Sequence, residues 1–166
     1  SAVALWSLTA FFEEIADTIP MKIFWSKLSY MGVVSAATLL FLFILDFFGL
    51  AKYSKFKFQA LFWLIPLIVL IAAFTNELHG LVWPSVTFED SLYGHRVIYE
   101  HGPLKWVMAV YSYLLLAAGA IIIIRTARST HQLYQKQLLT LLVASIVPWA
   151  GNLFYLTGLT PPHIDL

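Results

Sequence analysis

T-N-E-L-H-G-L-V-W, residues 75–83, is the stretch that decides how the rest of the chain is arranged. Residues 58–74 before it carry no charge, and residues 84–103 after it form a long polar connection. If the uncharged run crosses a membrane, residues 75–83 lie where the hydrocarbon meets water. An amide, a carboxylate, an imidazole and an indole lie within the stretch, from Asn76, Glu77, His79 and Trp83.

The composition is that of a polytopic membrane protein. Hydrophobic residues make up 60% of the chain and charged residues 11%, whereas soluble domains are nearer half apolar and a quarter charged. The net charge of +1 gives no reason to expect a nucleic-acid partner, so the lipid bilayer is the partner that the composition indicates. The sequence has no cysteine, which excludes disulfides, thiolate metal sites and cysteine nucleophiles.

Five apolar segments predict an all-α membrane protein with a single domain over residues 1–166. We expect transmembrane helices at about 2–18, 20–49, 58–78, 103–125 and 134–157. The first starts with only eleven uncharged residues, whereas a span needs about 20, so we expect this helix to begin before the chain does. Pro66 predicts a kink in the third helix, tolerated where neighbouring helices satisfy the freed carbonyl.

The polar loop at 84–103 contains two β-rich runs separated by turn-forming residues, which predicts a small β-hairpin between the third and fourth helices. With five antiparallel helices, one side of the membrane carries six basic residues and one acid. The other side, which includes the hairpin, carries four basic residues and eight acids. The positive-inside rule makes the first side cytoplasmic. We therefore expect Ser1 inside, Leu166 outside and an extracytoplasmic hairpin.

Metal and catalytic sites have weak support in the sequence. Four of the five histidines fall on the acidic side, so an outward metal site is chemically conceivable, but no pair has the spacing of a recognised site. Nothing supplies a nucleophile or an activated water. A retinal Schiff base would need a lysine in mid-membrane, and the span centres have none. We predict no catalytic residue, no metal site and no cofactor.

Polar residues inside the predicted spans are better candidates for function, because they are costly in lipid and tend to face the bundle interior. We interpret Tyr111 and Asn152 as lining a cavity or bonding between helices. Trp83 has an alternative interpretation as an anchor in the membrane interface.

An acidic edge ends the first helix, and two lysines begin the second. Glu13, Glu14 and Asp17 are close in sequence to Lys22 and Lys27. Ion pairing across the turn is the simplest interpretation of this arrangement. A contribution to cation or ligand binding is the alternative.

Six motifs, in order along nearly the whole chain, carry a family resemblance. They are I-P-M-K-I-F-W-S-K-L-S-Y-M-G at 19–32, T-N-E-L-H-G-L-V-W at 75–83, Y-E-H-G-P-L-K-W-V-M-A-V-Y-S-Y at 99–113, Y-Q-K-Q at 134–137, P-W-A-G-N-L-F-Y at 148–155 and H-I-D-L at 163–166. With these motifs the chain resembles the seven-transmembrane sensor region at the N-terminus of bacterial and archaeal sensor histidine kinases. The same region also precedes diguanylate cyclases.

The resemblance implies that the chain corresponds to helices two to six of a seven-helix bundle in the prokaryotic cytoplasmic (inner) membrane. It also implies the detection of a small molecule or a membrane state from the outer side. No phospho-accepting histidine box, nucleotide-binding glycine box or cyclase motif is present in the sequence. The chain is therefore expected not to be an enzyme itself, with any kinase or cyclase activity outside it.

Our first hypothesis is a signal-input module whose extracytoplasmic ligand binds under the hairpin. The ligand is unidentified, and its expected contacts are Asn76, Glu77, His79, Trp83, Tyr111, Asn152 and Asp165. The rival hypothesis is a structural or accessory subunit of a larger membrane complex, and a homodimer or other membrane subunits are the partners considered. A transporter is third, because the sequence shows no internal repeat.

Overall fold

The computed structural model describes residues 2–50, 56–91, 94–129 and 132–156, and it is mostly helical. Five α-helices and one pair of strands make up these residues. In chain order they are α1 (Ala2–Ile15), α2 (Ile19–Phe47), α3 (Phe56–Phe74), a 3-10 turn (Asn76–Leu78), β1 (Val86–Ser91), β2 (Gly94–Tyr99), α4 (Pro103–Ser129) and α5 (Gln132–Leu156).

Two of the described helices are long and apolar enough to cross a membrane. They are Ile19–Phe47 within α2 and Pro103–Arg128 within α4. The apolar part of α3, Phe58–Phe74, is shorter. About 20 residues of helix cover the roughly 30 Å of bilayer hydrocarbon, which is why length separates α2 and α4 from α3.

The chain turns sharply between α1 and α2. α1 ends at Ile15, three residues before the predicted end, and Thr18 is the extended N-cap of α2, with φ −117° and ψ 142°. Pro20 follows in the first turn of α2, where its missing N–H costs no hydrogen bond.

α1 and α2 approach closely at Gly32. A methyl group on this glycine would lie 2.7 Å from the Ala2 carbonyl oxygen and 2.7 Å from the Trp6 Cβ. A residue without a side chain is therefore what allows the two backbones to meet here, as is common where membrane helices pack.

α3 ends at Phe74, four residues earlier than the sequence predicted. The chain passes through the 3-10 turn and reaches Gly80, whose φ of +59° is the left-handed conformation that glycine adopts most easily. The early end releases the polar residues that follow Phe74 from helical geometry and lets them bond within the loop.

β1 and β2 pair antiparallel, from Val86 opposite Tyr99 to Ser91 opposite Gly94. Backbone bonds continue beyond the strands: the Glu100 amide donates to the Ser85 carbonyl at 3.1 Å, and the Gly102 amide to the Val82 carbonyl at 2.8 Å. The start of α4 is thereby tied to the chain that leaves α3.

The chain forms two compact units, residues 1–115 and residues 116–166. The core of the first includes Val34 of α2, Val69 of α3 and Met108 of α4, with Tyr30 and Tyr111 among the partly buried side chains around them. The second contains the remainder of α4 and α5, and the buried side chains among its described residues include Ile123, Ala127 and Leu138. α4 continues to Ser129, beyond the predicted end at 125.

Candidate functional site

Asn76 organises the loop between α3 and β1. Its Nδ2 donates to the Trp83 carbonyl at 2.8 Å, and its Oδ1 accepts from the Val82 and Trp83 amides at 3.0 Å each. The side chain is buried, and its backbone carbonyl accepts from the Gly80 amide at 2.8 Å. A single amide thus satisfies three backbone groups that no helix or strand could pair. The residue gives residues 76–83 their shape.

Gly102 lies directly against this loop. A methyl group there would come within 2.7 Å of the Leu81 carbonyl carbon and closer still to its oxygen, nearer than any real contact. The Leu104 amide also donates to that carbonyl, at 3.2 Å. Because the obstacle is backbone rather than a flexible side chain, only glycine allows α4 to begin at this point.

The loop presents Trp83 to an aromatic cluster. Trp83 is 4% exposed, with its ring 5.0 Å from that of Tyr30 in an edge-to-face arrangement and 5.2 Å from that of Tyr99. Pairs with this geometry add roughly 1 kcal/mol to the area they bury. The cluster joins the loop to α2 and β2, so Trp83 here is a packed core residue of the first unit.

Tyr99 extends this cluster to α1. Its hydroxyl donates to Glu13 Oε1 at 3.0 Å, across 86 positions of sequence. Burial, helped by the nearby Glu13 carboxylate, raises the pKa of Tyr99, while Ser26 acts in the opposite direction. The phenol therefore keeps its proton and remains a donor at neutral pH.

Two lysines of α2 bind the ends of the neighbouring helices. Lys22 Nζ donates to the Glu13 and Glu14 carbonyls at 3.1 Å each, at the end of α1. Lys27 Nζ donates to the Phe74 carbonyl at 3.4 Å, at the end of α3, and pairs with the Glu77 carboxylate. Lys22 thus binds backbone oxygens of the acidic edge, not the carboxylates that simple ion pairing across the turn would use.

Glu77 is the exposed partner of the second lysine. Its side chain is 64% exposed and that of Lys27 13%. The hydrogen bond from Lys27 lowers the pKa of Glu77, and a backbone hydrogen bond acts in the same direction. Glu77 therefore carries a negative charge at the surface of the loop at neutral pH.

His79 lies on the exposed side of the same loop. Its Nδ1 accepts from the Leu81 amide at 3.0 Å, and its Nε2 lies 3.2 Å from the Thr75 hydroxyl. Since Nδ1 accepts, the proton of the neutral ring is on Nε2 and points to Thr75. The ring is held in one orientation at the surface.

Tyr111 lies away from the loop, two turns or roughly 10 Å along α4 from Leu104. Its hydroxyl donates to the Phe62 carbonyl at 2.5 Å and lies 3.1 Å from Thr38 Oγ1. The structure thus brings together four predicted site residues in the loop, namely Asn76, Glu77, His79 and Trp83. The fifth, Tyr111 of α4, contacts α2 and α3 instead.

The structure describes less of the other two predicted site residues, Asn152 and Asp165. Asn152 belongs to α5, but its side chain is outside what the structure describes, and Asp165 lies beyond the described residues. Four residues important to the loop were not predicted as site residues: Lys27, Tyr30, Tyr99 and Gly102. For Gly102, the G-P pair before a helix was the available sequence signal.

The chemistry of the site is that of a folded loop. Among the described residues, no group of three histidine, aspartate or glutamate side chains is placed to hold a metal ion. The exposed groups of the loop are the Glu77 carboxylate and the His79 imidazole, and the buried ones serve the backbone. This arrangement can present a charge and a hydrogen-bonding ring to a molecule at the surface.

Comparison with known proteins assigns the chain to a family. The family model described as the N-terminal 7TM region of histidine kinase matches residues 1–166. No curated protein and no solved structure matches the chain. The family is an N-terminal sensor region of these kinases and not their catalytic domain, in agreement with the apolar helices and with the resemblance seen in the sequence. The chain belongs to the N-terminal 7TM region family of histidine kinases, and it is a membrane protein of signal transduction.

Proposed function

We propose that the chain detects an extracytoplasmic small molecule or a membrane state and passes the signal to a cytoplasmic output domain. The observation that carries this proposal is the set of contacts made by residues 76–104, which comprise the loop, the two strands and the start of α4. Tyr99 bonds to the end of α1, Trp83 packs on α2, and Glu77 pairs with the lysine that binds the end of α3. The same segment leads directly into α4. A molecule that moves residues 76–104 therefore acts on four helices together.

The ligand has to discriminate between two packings of the bundle, because equal binding to both would shift nothing. We propose that Glu77 and His79 contact it directly, since both are exposed. Asn76 and Trp83 form the wall that holds these two in position.

The proposed set of contacts also includes three residues outside the loop, namely Tyr111, Asn152 and Asp165. We propose five membrane-crossing helices, equivalent to helices two to six of seven, in the bacterial inner membrane. The loop and hairpin are then extracytoplasmic, Ser1 is cytoplasmic and Leu166 is extracytoplasmic. The module itself catalyses no reaction, and it signals to a separate output domain.

The first stage of the test is the position of the loop. Residues 1–166 contain no cysteine, so His79→Cys and Lys136→Cys each give a single labelling site within them. A membrane-impermeant maleimide should label His79→Cys in intact cells and Lys136→Cys only after permeabilisation. Equal labelling of both in intact cells, or the reverse pattern, would contradict the proposed orientation.

The second stage is signalling by the full reading frame in bacterial membranes. His79→Ala and Glu77→Ala should change the activity of the output domain, measured as phosphorylation or cyclic-nucleotide synthesis, at equal protein levels. Leu67→Ala, on the exposed side of α3, is the control that should leave the output at its native level. A frame without an output domain, or unchanged output in both loop variants, would favour the accessory subunit.

A further inference from the structure

Pro66 creates a backbone defect in the middle of α3. Proline has no N–H, so residue 66 cannot donate to the carbonyl of Phe62, four residues earlier. Pro66 is among the fully buried residues of the structure. An unpaired carbonyl in hydrocarbon costs several kcal/mol, which means that a neighbouring helix has to supply a donor.

Tyr111 of α4 supplies this donor. Its hydroxyl donates to the Phe62 carbonyl at 2.5 Å. Thr38 Oγ1 of α2 lies 3.1 Å from the same hydroxyl. Because the single proton of the tyrosine is used on Phe62, Thr38 is the donor to Tyr111.

The packing around these groups holds them in place. Thr38 is 0% exposed, and the ring of Phe41, one turn further along α2, lies 5.2 Å from the ring of Phe62. Val69 and Met108 belong to the buried cluster that Tyr111 packs against. Three helices are therefore joined at one carbonyl, inside an apolar core.

We propose that the hydroxyl relay from Thr38 through Tyr111 to the Phe62 carbonyl is a conformational device that sets the bend of α3 at Pro66. With the relay formed, the two halves of α3 are held at one angle to each other and to α4. With the relay broken, the carbonyl needs water or another donor, and the two halves move independently about the proline. The relay would act in this way in a sensor and in an accessory subunit alike.

The bend can be measured across the proline with paired spin labels. Leu61 and Ile71 lie on either side of Pro66 and are 64% and 63% exposed, so Leu61→Cys with Ile71→Cys places one label on each half of α3. Ten residues of helix separate them by about 15 Å, within the range of continuous-wave electron paramagnetic resonance. Tyr111→Phe should broaden the distribution of distances between the two labels, relative to the labelled protein in which the relay is intact. Thr38→Val should broaden it less, because Tyr111 still donates to Phe62.

Two controls decide the interpretation. Ser35→Ala removes a hydroxyl of α2 that bonds within its own helix, to the Met31 carbonyl, and should leave the distribution at its native width. Pro66→Ala restores the N–H that bonds the Phe62 carbonyl, so adding Tyr111→Phe to Pro66→Ala should cause no further broadening.

The proposal is overturned if Tyr111→Phe broadens the distribution no more than Ser35→Ala does. It is equally overturned if Tyr111→Phe broadens the distribution as much in the Pro66→Ala background as in the native one, because the tyrosine would then act by packing and not through the freed carbonyl. The Pro66→Ala background also keeps the test open should Tyr111→Phe alone fail to fold.

Discussion

The loop at residues 76–83 and the relay at Tyr111 solve the same problem in two ways. In each, a polar side chain satisfies backbone groups that regular structure leaves unpaired. In the loop, the Asn76 amide serves three such groups of an irregular chain. In the relay, the Tyr111 hydroxyl serves one carbonyl of a helix that is otherwise bonded to itself. The shape of the loop therefore depends on Asn76, whereas α3 depends on Tyr111 only at the carbonyl of Phe62.

This difference predicts that removing the Asn76 amide costs more stability than removing the Tyr111 hydroxyl. Interhelical hydrogen bonds in membranes contribute about 0.6 kcal/mol on average and at most about 2 kcal/mol. A buried amide that leaves several backbone groups unpaired costs more, because each unpaired group costs about 1–3 kcal/mol. Three substitutions in the loop and at its junction with α4 are expected to cost progressively less stability.

Gly102→Ala should destabilise the protein most. The added methyl group meets the Leu81 carbonyl, at 2.7 Å from its carbon, and overpacking against backbone costs about 3 kcal/mol. The measurement is the thermal unfolding midpoint in detergent. Gly49→Ala is the control: none of the described residues lies within 4 Å of its added methyl group, and its φ of +66° accounts for a cost of about 1 kcal/mol. Equal losses for the two variants would contradict the close approach at Gly102.

Asn76→Ala should come second, with a loss of up to about 3 kcal/mol, or roughly 1 kcal/mol for each of the three backbone groups that lose their partner. The Val82 and Trp83 amides lose their acceptor, so their hydrogen exchange should become faster. His79→Ala is the matched control, because it should expose the Leu81 amide and leave Val82 and Trp83 protected. If Asn76→Ala leaves exchange at Val82 and Trp83 unchanged, Asn76 does not organise the loop.

Glu77→Gln should have the smallest effect, at most about 1 kcal/mol, since exposed ion pairs contribute little. The pKa of Glu77 is lowered in the folded protein from its ordinary value of 4.5. Its contribution is therefore fully present above pH 4.5 and is lost as the pH falls through the lower folded value. Native protein should lose more stability than Glu77→Gln on acidification below about pH 4.5, as followed by thermal midpoints. Parallel pH profiles would show that the pair with Lys27 contributes nothing.

The two regions also differ in how far the sequence predicts them. Pro66 identifies a freed carbonyl without any structure, because the missing N–H is a property of proline itself. That Tyr111 would satisfy it required the packing of α4 against α3. Tyr111 is polar inside a span, which indicates that it has a partner but not which one.

In the loop, the sequence shows which polar residues are present but does not predict what they bond to. Asn76 and Trp83 are seven positions apart, but a side-chain amide can bond to a ligand or to the backbone, and composition does not separate the two. The Tyr99–Glu13 bond joins positions 86 residues apart and depends on the fold. Lys22 had both carboxylates and carbonyls within reach, and the early end of α1 exposed the carbonyls.

Lys22 and Lys27 determine how the first three helices can move. Each amine is bonded to the last carbonyls of a neighbouring helix, where the peptide dipoles place about half a negative charge. Sliding α1 or α3 along α2 by one turn, about 5.4 Å, would separate these charges at the edge of a low-dielectric medium. Axial sliding is therefore opposed, which leaves rotation and tilt of these helices, together with the proposed bending at Pro66, as the motions open to them.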